Sequence, residues 1–510
     1  MLISGIDQLI IVVYLAAVTV TGLWIGRNNR NVADYLLGGR NLPWWAVLGS
    51  IVATETSTAT FLSIPGLAFD PKAGSFRFLQ LAFGFAIGRL IISVTLLPLY
   101  FRGELFTAYE VLNKRFGGLT QKTASVLFLI TRNLGDGLRL FLTAIVANKV
   151  TGLEMWQCIV LVGIATTAYT FVGGIKAVIW SDCLQFTVYI TGGVVALMLI
   201  VSRLPTGWDG LLQFGQATGK FRFVDFSWSL SEKFTFWSGM IGGTLLTIGT
   251  HGTDQMMVQR YLCTHSQRDA AKAVIASGVV VFAQFVLFLL LGTALAAFYS
   301  ALRDPPTFGS NDEVFATFIV NEMPRGFVGL TLAAVFSAAM STLSSSLNSS
   351  AGAVVTDFLR HRLSDTRQLT MSRVLTVVFG GLQIIIGIGA MYLSRSVVDD
   401  ALAIAGFSAG LLLGVFILGT TNCWINQFSA MVGLISGAAV LMIVKFGFRV
   451  WTAAGMTSEP GTIVQNTLQF LSAIAWPWYP VIGVLVTVLT AIVAQLFHRR
   501  DSAGTQMTAC

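Results

Sequence analysis

Five hydroxyl side chains, Ser341, Thr342, Ser344, Ser345 and Ser346, crowd into six positions of a long apolar stretch. Leu332-Ala333-Ala334-Val335-Phe336 precedes them and Ala351-Gly352-Ala353-Val354-Val355 follows. If the stretch is a membrane-crossing helix, the hydroxyls lie near mid-depth, where lipid offers no hydrogen-bond partner and an idle oxygen is costly. Hydroxyl and carbonyl oxygens are also the hard ligands that a small cation needs when it sheds water. The block therefore points to ion binding.

Two other segments carry polar residues at mid-span. One runs Ile51-Val52-Ala53-Thr54-Glu55-Thr56-Ser57-Thr58-Ala59-Thr60-Phe61 and then meets Pro65-Gly66. The other runs from Gly242-Gly243-Thr244 to Gly249-Thr250-His251-Gly252-Thr253-Asp254-Gln255. Mixtures of Gly, Thr and an acid suit a broken helix, whose freed backbone groups can bind ions and substrate. Close packing by small residues is the competing explanation for either segment alone. Two in corresponding places favour a site. Asp182, deep in another apolar stretch, is expensive unless it is paired or binds a cation, and Lys176 is the nearby candidate partner. Arg132, Asp136 and Arg139 are spaced to satisfy one another on a helix, and Arg132 is equally placed to face a cavity.

The elements that must position these groups are apolar helices. The 510 residues are 55% hydrophobic and 11% charged, with mean hydropathy +0.75, whereas a soluble protein carries about 25% charged residues. About thirteen segments are long and apolar enough to span a bilayer. They lie near 7–26, 43–69, 76–101, 121–149, 155–173, 175–203, 235–262, 272–301, 326–358, 370–394, 399–421, 427–445 and 476–498. The runs are too long and too continuous for barrel strands. The first run has no basic start and no evident cleavage site, so it reads as a span and not a signal peptide.

Basic residues collect in alternate connections: Arg27, Arg30 and Arg40; Lys114 and Arg115; Lys176; Arg268 and Lys272; Arg360, Arg362, Arg367 and Arg373; then Arg499 and Arg500. The positive-inside rule makes these cytoplasmic, with the N-terminus outside and the C-terminus inside. These loops account for the net charge of +8 without an acidic partner. Cys158, Cys183, Cys263, Cys423 and Cys510 are scattered, with no metal or disulfide spacing. No zinc-protease, phosphate-loop or nucleophile-elbow motif appears, and no nucleic-acid signature. An enzyme is not expected.

Three stretches together resemble the sodium:solute symporters. Ala338-Ala339-Met340-Ser341-Thr342-Leu343-Ser344-Ser345-Ser346-Leu347-Asn348-Ser349 looks like the family's eighth core helix. Asp254-Gln255-Met256-Met257-Val258-Gln259-Arg260-Tyr261 resembles its Gln-x-x-x-Gln-Arg segment. Phe171-Val172-Gly173-Gly174-Ile175-Lys176-Ala177-Val178-Ile179-Trp180-Ser181-Asp182 resembles its Gly-Gly-x-x-Ala-Val-x-Trp-x-Asp signature. The resemblance covers roughly residues 5–500. It implies an all-α polytopic membrane protein with a leucine-transporter-like five-plus-five inverted repeat. The expected division is 1–42 as an extra helix and loop, 43–203 as the first repeat, 204–234 as an outer loop, 235–421 as the second repeat and 422–510 as extra helices.

The resemblance also implies a primary sodium site formed by the carbonyls of Ala53, Thr56 and Ala338 and the hydroxyls of Ser341 and Thr342. Five neutral oxygens suit weak, reversible binding of a cation. Residues 338, 341 and 342 share one helix face. Hydrogen bonds from these hydroxyls to their own helix are the alternative. A second sodium site in some members maps to Asp182, Ser341, Ser344 and Ser345. For substrate, Glu55 matches an acid of proline symporters and Arg132 an arginine that contacts carboxylate in sialic acid symporters. Ser57, Gln80, Thr250 and His251 complete the expected contacts.

The expected function is sodium-coupled import of an amino acid, other zwitterion or carboxylate by alternating access. A proton-coupled carrier using Glu55 or Asp182, and a sugar symporter of the same fold, are the alternatives. Sodium is the only metal expected, with no cofactor. The expected partners are a small organic solute, sodium and the lipid bilayer, with no obligate protein partner. The expected location is the plasma membrane, as in a bacterial inner membrane.

Overall fold

In hydrocarbon every backbone N–H and C=O must be satisfied within the segment, so apolar runs of this length form helices. A computed structural model of the protein bears this pattern. It describes residues 4–27, 31–103, 105–304, 306–392, 397–421, 424–453 and 462–502. Arg30, Cys423 and Cys510 lie outside the described residues, as do the side chains of Arg499 and Arg500.

Helix α1 is Gly5–Gly26 and α2 is Val32–Leu37. Next come α3 (Trp44–Glu55), α4 (Thr58–Phe69), α5 (Leu79–Thr95), α6 (Leu97–Tyr100) and α7 (Glu110–Phe116). The long α8 (Gly118–Thr151) and α9 (Met155–Ser202) follow, then the short α10 (Gly207–Ala217). A π-helical turn, Ser238–Gly243, leads into α11 (Thr244–Gly252) and α12 (Gln255–Leu262). The remainder are α13 (Gln267–Ser300), α14 (Glu313–Glu322), α15 (Phe327–Val354), α16 (Asp365–Ala390), α17 (Val397–Thr421), α18 (Gln427–Ala453), α19 (Ile463–Ser472) and α20 (Tyr479–Ser502). Among the described residues there is no sheet, only an isolated bridge between Leu42 and Thr264.

Nine of the described helices are long and apolar enough to cross a membrane, or ten when α3 and α4 count as one bent span. The helix α8 is long enough, but Arg132, Asp136 and Arg139 sit in its middle. The expected spans 155–173 and 175–203 are continuous in α9, whose 48 residues would reach about 72 Å if straight. That is more than twice the hydrocarbon thickness of about 30 Å. The break falls at Gly174, where φ is 59° and ψ −169°. A Cβ there would come within 2.7 Å of the Tyr35 carbonyl oxygen. A side chain would thus clash with α2 as well as strain the backbone.

Apolar residues on α1, α16, α18 and α20 face outward, among them Leu9, Val13, Val377, Ile385, Ile435 and Leu489. They form a lipid-compatible exterior. By contrast α15 is the most buried of the nine candidate spans, and its whole hydroxyl block is buried. It packs against α9, α16, α1, α8 and α3. The polar stretch found in the sequence is thereby hidden from lipid inside the bundle.

Candidate functional site

The expected break in the 43–69 segment lies at Thr56 and Ser57, between α3 and α4, which are bent by 58°. Thr56 (φ −83°, ψ 95°) and Ser57 (φ −89°, ψ 171°) are extended. Among the described residues no backbone N–H reaches the Ala53 or Thr56 carbonyl, because the turn that would supply one is unwound. The Thr56 side chain is already used: its hydroxyl donates to the Val52 carbonyl at 2.9 Å and meets Gln284 and Tyr189. Only its carbonyl remains available. Across from the break, Thr342 Oγ1 donates to the Thr54 carbonyl at 3.0 Å and to the Ala338 carbonyl at 3.3 Å. The hydroxyl face of α15 therefore meets the unwound turn directly.

Asp182 lies beside this junction with no exposure. Ser341 Oγ donates to its Oδ1 at 2.6 Å. Its Oδ2 accepts from Ser50 Oγ at 2.5 Å and Thr54 Oγ1 at 3.3 Å, and pairs with Arg260 Nη2 at 3.2 Å. Arg260, on α12, also donates to Ser50 Oγ at 2.8 Å, Thr54 Oγ1 at 2.6 Å, the Met256 carbonyl at 2.5 Å and Ser345 Oγ. Thus Asp182, Ser341 and Ser345 form one cage, and a guanidinium is the cation in it. Ser344 turns back to the Ser341 carbonyl at 3.2 Å. The partner of Asp182 is Arg260 and not Lys176, which is exposed. Burial selects the arginine: a charge with no water must bond through every donor, and the planar fork reaches several acceptors at once.

A cavity of about 180 Å³ opens next to the break. Glu55, Ser57, Arg132, Thr250 and His251 line it, together with Arg139 and apolar walls from Phe78, Phe85, Leu246, Phe285 and Trp476. Its charges come in pairs. Glu55 is bound to Arg89, a guanidinium only 1% exposed behind the wall, and its Oε2 lies 3.4 Å from His251 Nε2. Arg89 Nη2 also lies 3.3 Å from His251 Nε2, and Thr250 Oγ1 bonds His251 Nδ1 at 3.0 Å. On the other side Arg132 pairs with Asp254 at 2.5 Å and lies 3.9 Å from Asp136, which is also held by Arg139. Arg89, Arg132 and Arg139 thereby balance Glu55, Asp136 and Asp254. Asp254 is fixed by capping α12 through the Met256 N–H at 2.9 Å.

Gln80 stands apart from this cavity. Its amide donates to the carbonyls of Arg77 and Phe234, each at 3.2 Å, and its oxygen accepts from the Asp225 N–H at 2.9 Å. It ties the 204–234 connection to the start of α5 instead of facing a solute. In the same region Lys220 Nζ caps the end of α4, bonding the carbonyls of Ala68, Phe69 and Asp70 at 2.8, 3.2 and 2.9 Å.

Arg89 and Arg260 were not singled out as functional from the sequence. A signal was there: each is a lone arginine in an apolar or weakly polar helix, and an arginine at membrane depth requires an acid. Matching Glu55 and Asp182 against the arginines, and not only against a solute or sodium, would have found both.

The family model for the sodium:solute symporter family matches residues 35–437. The chain is 28% identical to the sodium-coupled monocarboxylate transporter 1 of Xenopus laevis over 478 residues, 91% of this chain and 76% of that protein. It is 28% identical to the sodium/sialic acid symporter NanT of Aliivibrio fischeri over 447 residues, 85% of this chain and 86% of that protein. Among solved structures it is similar to a substrate-bound, outward-open Na+-coupled sialic acid symporter. There the TM-score is 0.83 at 26% identity, over 97% of this chain and 98% of that one.

Proposed function

Since the chain belongs to the sodium:solute symporter family, we propose that it imports a small amino acid or monocarboxylate with sodium by alternating access. Its relatives are sodium-coupled transporters and not enzymes, with sodium as the coupling ion. One observation carries the proposal: the break after α3 at Thr56–Ser57 lies against the buried hydroxyl face of α15 and opens on a charge-paired cavity.

The primary sodium site is assigned to the carbonyls of Ala53, Thr56 and Ala338 and the hydroxyls of Ser341 and Thr342. A second site at Asp182, Ser341, Ser344 and Ser345 is retained in a narrower form. Sodium enters it only when the Arg260 guanidinium leaves, because two cations cannot share so small a cage. Glu55 and Arg132 are assigned to the solute's ammonium and carboxylate, with Ser57, Thr250 and His251 beside them. Gln80 leaves that set. An apolar cavity of about 150 Å³ holds a benzene-sized molecule. The cavity here is only slightly larger. That room suits a compact solute, while the open side of the cavity leaves space for a longer one.

Thirteen spans and two five-helix repeats remain the proposed arrangement. To the nine candidates are added the bent α3–α4 pair, the second part of α9, α8, and α11 with its flanking turns. The proposed location is the plasma membrane with the N-terminus outside.

The test is a thermal-shift screen of small amino acids, monocarboxylates, sialic acid and hexoses in sodium and in potassium, followed by uptake in proteoliposomes. A sodium-dependent shift with an amino acid or monocarboxylate is expected. A shift with sialic acid or a hexose alone would replace the substrate reading. Uptake indifferent to sodium at fixed pH and voltage would overturn sodium coupling.

A further inference from the structure

The carboxylates around the cavity and the cage each face an arginine, but the buried Asp357 does not. Asp357 lies in the π-helical turn Val355–Leu359 that ends α15 and is 7% exposed. Its Oδ1 accepts from Thr107 Oγ1 and from Gln121 Nε2, each at 2.7 Å. Its Oδ2 is buried without a hydrogen-bond partner. One turn beyond Gln121 on α8, the fully buried Ser125 is placed to hydrogen-bond the same carboxylate, and its Oγ has no other partner.

The surrounding charges make an ionised Asp357 worse. Glu110, at the start of α7, is a nearby charge of the same sign. Its carboxylate is occupied by the Phe106 and Thr107 N–H groups at 2.9 and 3.1 Å and by Arg360 at 3.5 Å. The buried Tyr109 phenol lies close by. Among the described residues no lysine, arginine or histidine pairs with Asp357. A buried carboxylate without a counter-charge is costly and neutralises where it can.

We propose that Asp357 is a proton-binding site, carrying hydrogen on Oδ2 and donating it to Ser125 Oγ. A single proton then removes the charge, which a hydrogen bond donated by the Ser125 hydroxyl would leave in place. The proton comes from water at this end of the bundle and returns to it, so it is not a coupling ion. Three elements meet here: the segment before α7, the base of α8 and the end of α15. If this end parts to admit water, Asp357 ionises. Alkaline solution on this side therefore favours the parted state and acid favours the closed one. Lys114, Arg115, Arg360 and Arg362 mark the side as the one expected to face the cytoplasm.

Infrared spectroscopy of the full-length protein in lipid tests the proposal directly. In mildly acid buffer the wild type should show the carbonyl stretch of a buried protonated carboxyl group, and it should fade as the pH is raised. Asp357→Asn should lack that band, and Ser125→Ala should shift it by removing the acceptor. Asp357→Asn should keep sodium-dependent uptake, since its amide can donate to Ser125, and should lose a severalfold dependence of solute release on the pH of this side. Absence of the band from the wild type, or its survival in Asp357→Asn, overturns the proposal. An unshifted band in Ser125→Ala removes the assigned acceptor. If Asp357→Asn misfolds, the Ser125→Ala shift still decides. A sodium-binding change in Asp357→Asn without any acid band would make the site a cation site and refute the proton.

Discussion

Arg260 and Asp182 meet inside the bundle with 3.2 Å between Nη2 and Oδ2, and neither side chain is more than 1% exposed. Three serines and a threonine share the pair: Ser50, Thr54, Ser341 and Ser345 bond one or both partners. The guanidinium thus holds α12, α3, α9 and α15 together at the place where a second sodium would bind.

Removing one member of this pair strands the other. Asp182→Asn should cost about 3–5 kcal/mol, as for other broken buried pairs. The check is unfolding of the purified protein in detergent. Arg260→Gln instead vacates the cage while leaving Asp182 its hydroxyl donors. Sodium activation of uptake should then become more cooperative than in the wild type. Equal Hill coefficients in both proteins would mean that sodium and Arg260 do not compete for the cage.

Ser341→Ala and Thr342→Ala each remove an oxygen from the proposed primary sodium site. The sodium concentration for half-maximal uptake should rise severalfold or more in each, at similar protein abundance. A normal sodium response in both would return the hydroxyls to bonding Asp182 and the Thr54 carbonyl.

Glu55 and Arg89 should behave as a unit. Glu55→Gln leaves the Arg89 guanidinium buried beside His251 and a neutral amide, with no counter-charge among the described residues. Glu55→Gln/Arg89→Gln should recover part of the lost stability, giving a coupling energy of about 1–3 kcal/mol in a double-mutant cycle. Additive losses would show that the pair is not energetically linked.

Arg132→Lys keeps the charge but loses the planar fork that suits a carboxylate. The solute concentration for half-maximal uptake should rise about tenfold, equivalent to about 1.4 kcal/mol. The sodium dependence should change little. An unchanged solute affinity would remove Arg132 from the solute contacts.

Asp70, where α4 meets the 204–234 connection, is held below the usual carboxylate range. Partial burial alone would raise it, but the Ala73 and Lys72 N–H groups, the Asn311 amide and the Lys220 ammonium outweigh that effect. Its folded value is thus lower than its unfolded one. The stability it contributes is complete above the ordinary aspartate value of about 3.9 and is lost as pH falls through the folded value. Limited proteolysis of residues 204–234 should show protection at neutral and mildly acid pH that fails in stronger acid. Asp70→Asn should be cut more readily at neutral pH.

Much of this was legible because lipid permits so few structures. Apolar runs predicted helices, and mixed Gly, Thr and acid residues marked the breaks at Thr56–Ser57 and Thr253–Asp254. The partners of the buried charges were harder to read. Pairing depends on which helices adjoin, so proximity in sequence points Asp182 to Lys176, whereas α12 delivers Arg260 from 78 residues away. Gln80 shows the opposite limit. A polar residue at a helix start can face a cavity or a loop, and only the fold of residues 225–234 makes it an anchor.

The Gly174 break has a consequence for biosynthesis. A ribosome feeding α9 into the membrane presents two spans with no polar loop between them. Lys176 is the one charged residue near the join. The insertion machinery thus receives little instruction on where the first span should stop. The missing instruction comes from chain made earlier, since Tyr35 of α2 lies against Gly174 and its hydroxyl reaches the Thr170 and Phe171 carbonyls, each at 3.3 Å. A defect in α2 would therefore surface first as a misplaced pair of spans during synthesis, before any ion or solute is bound.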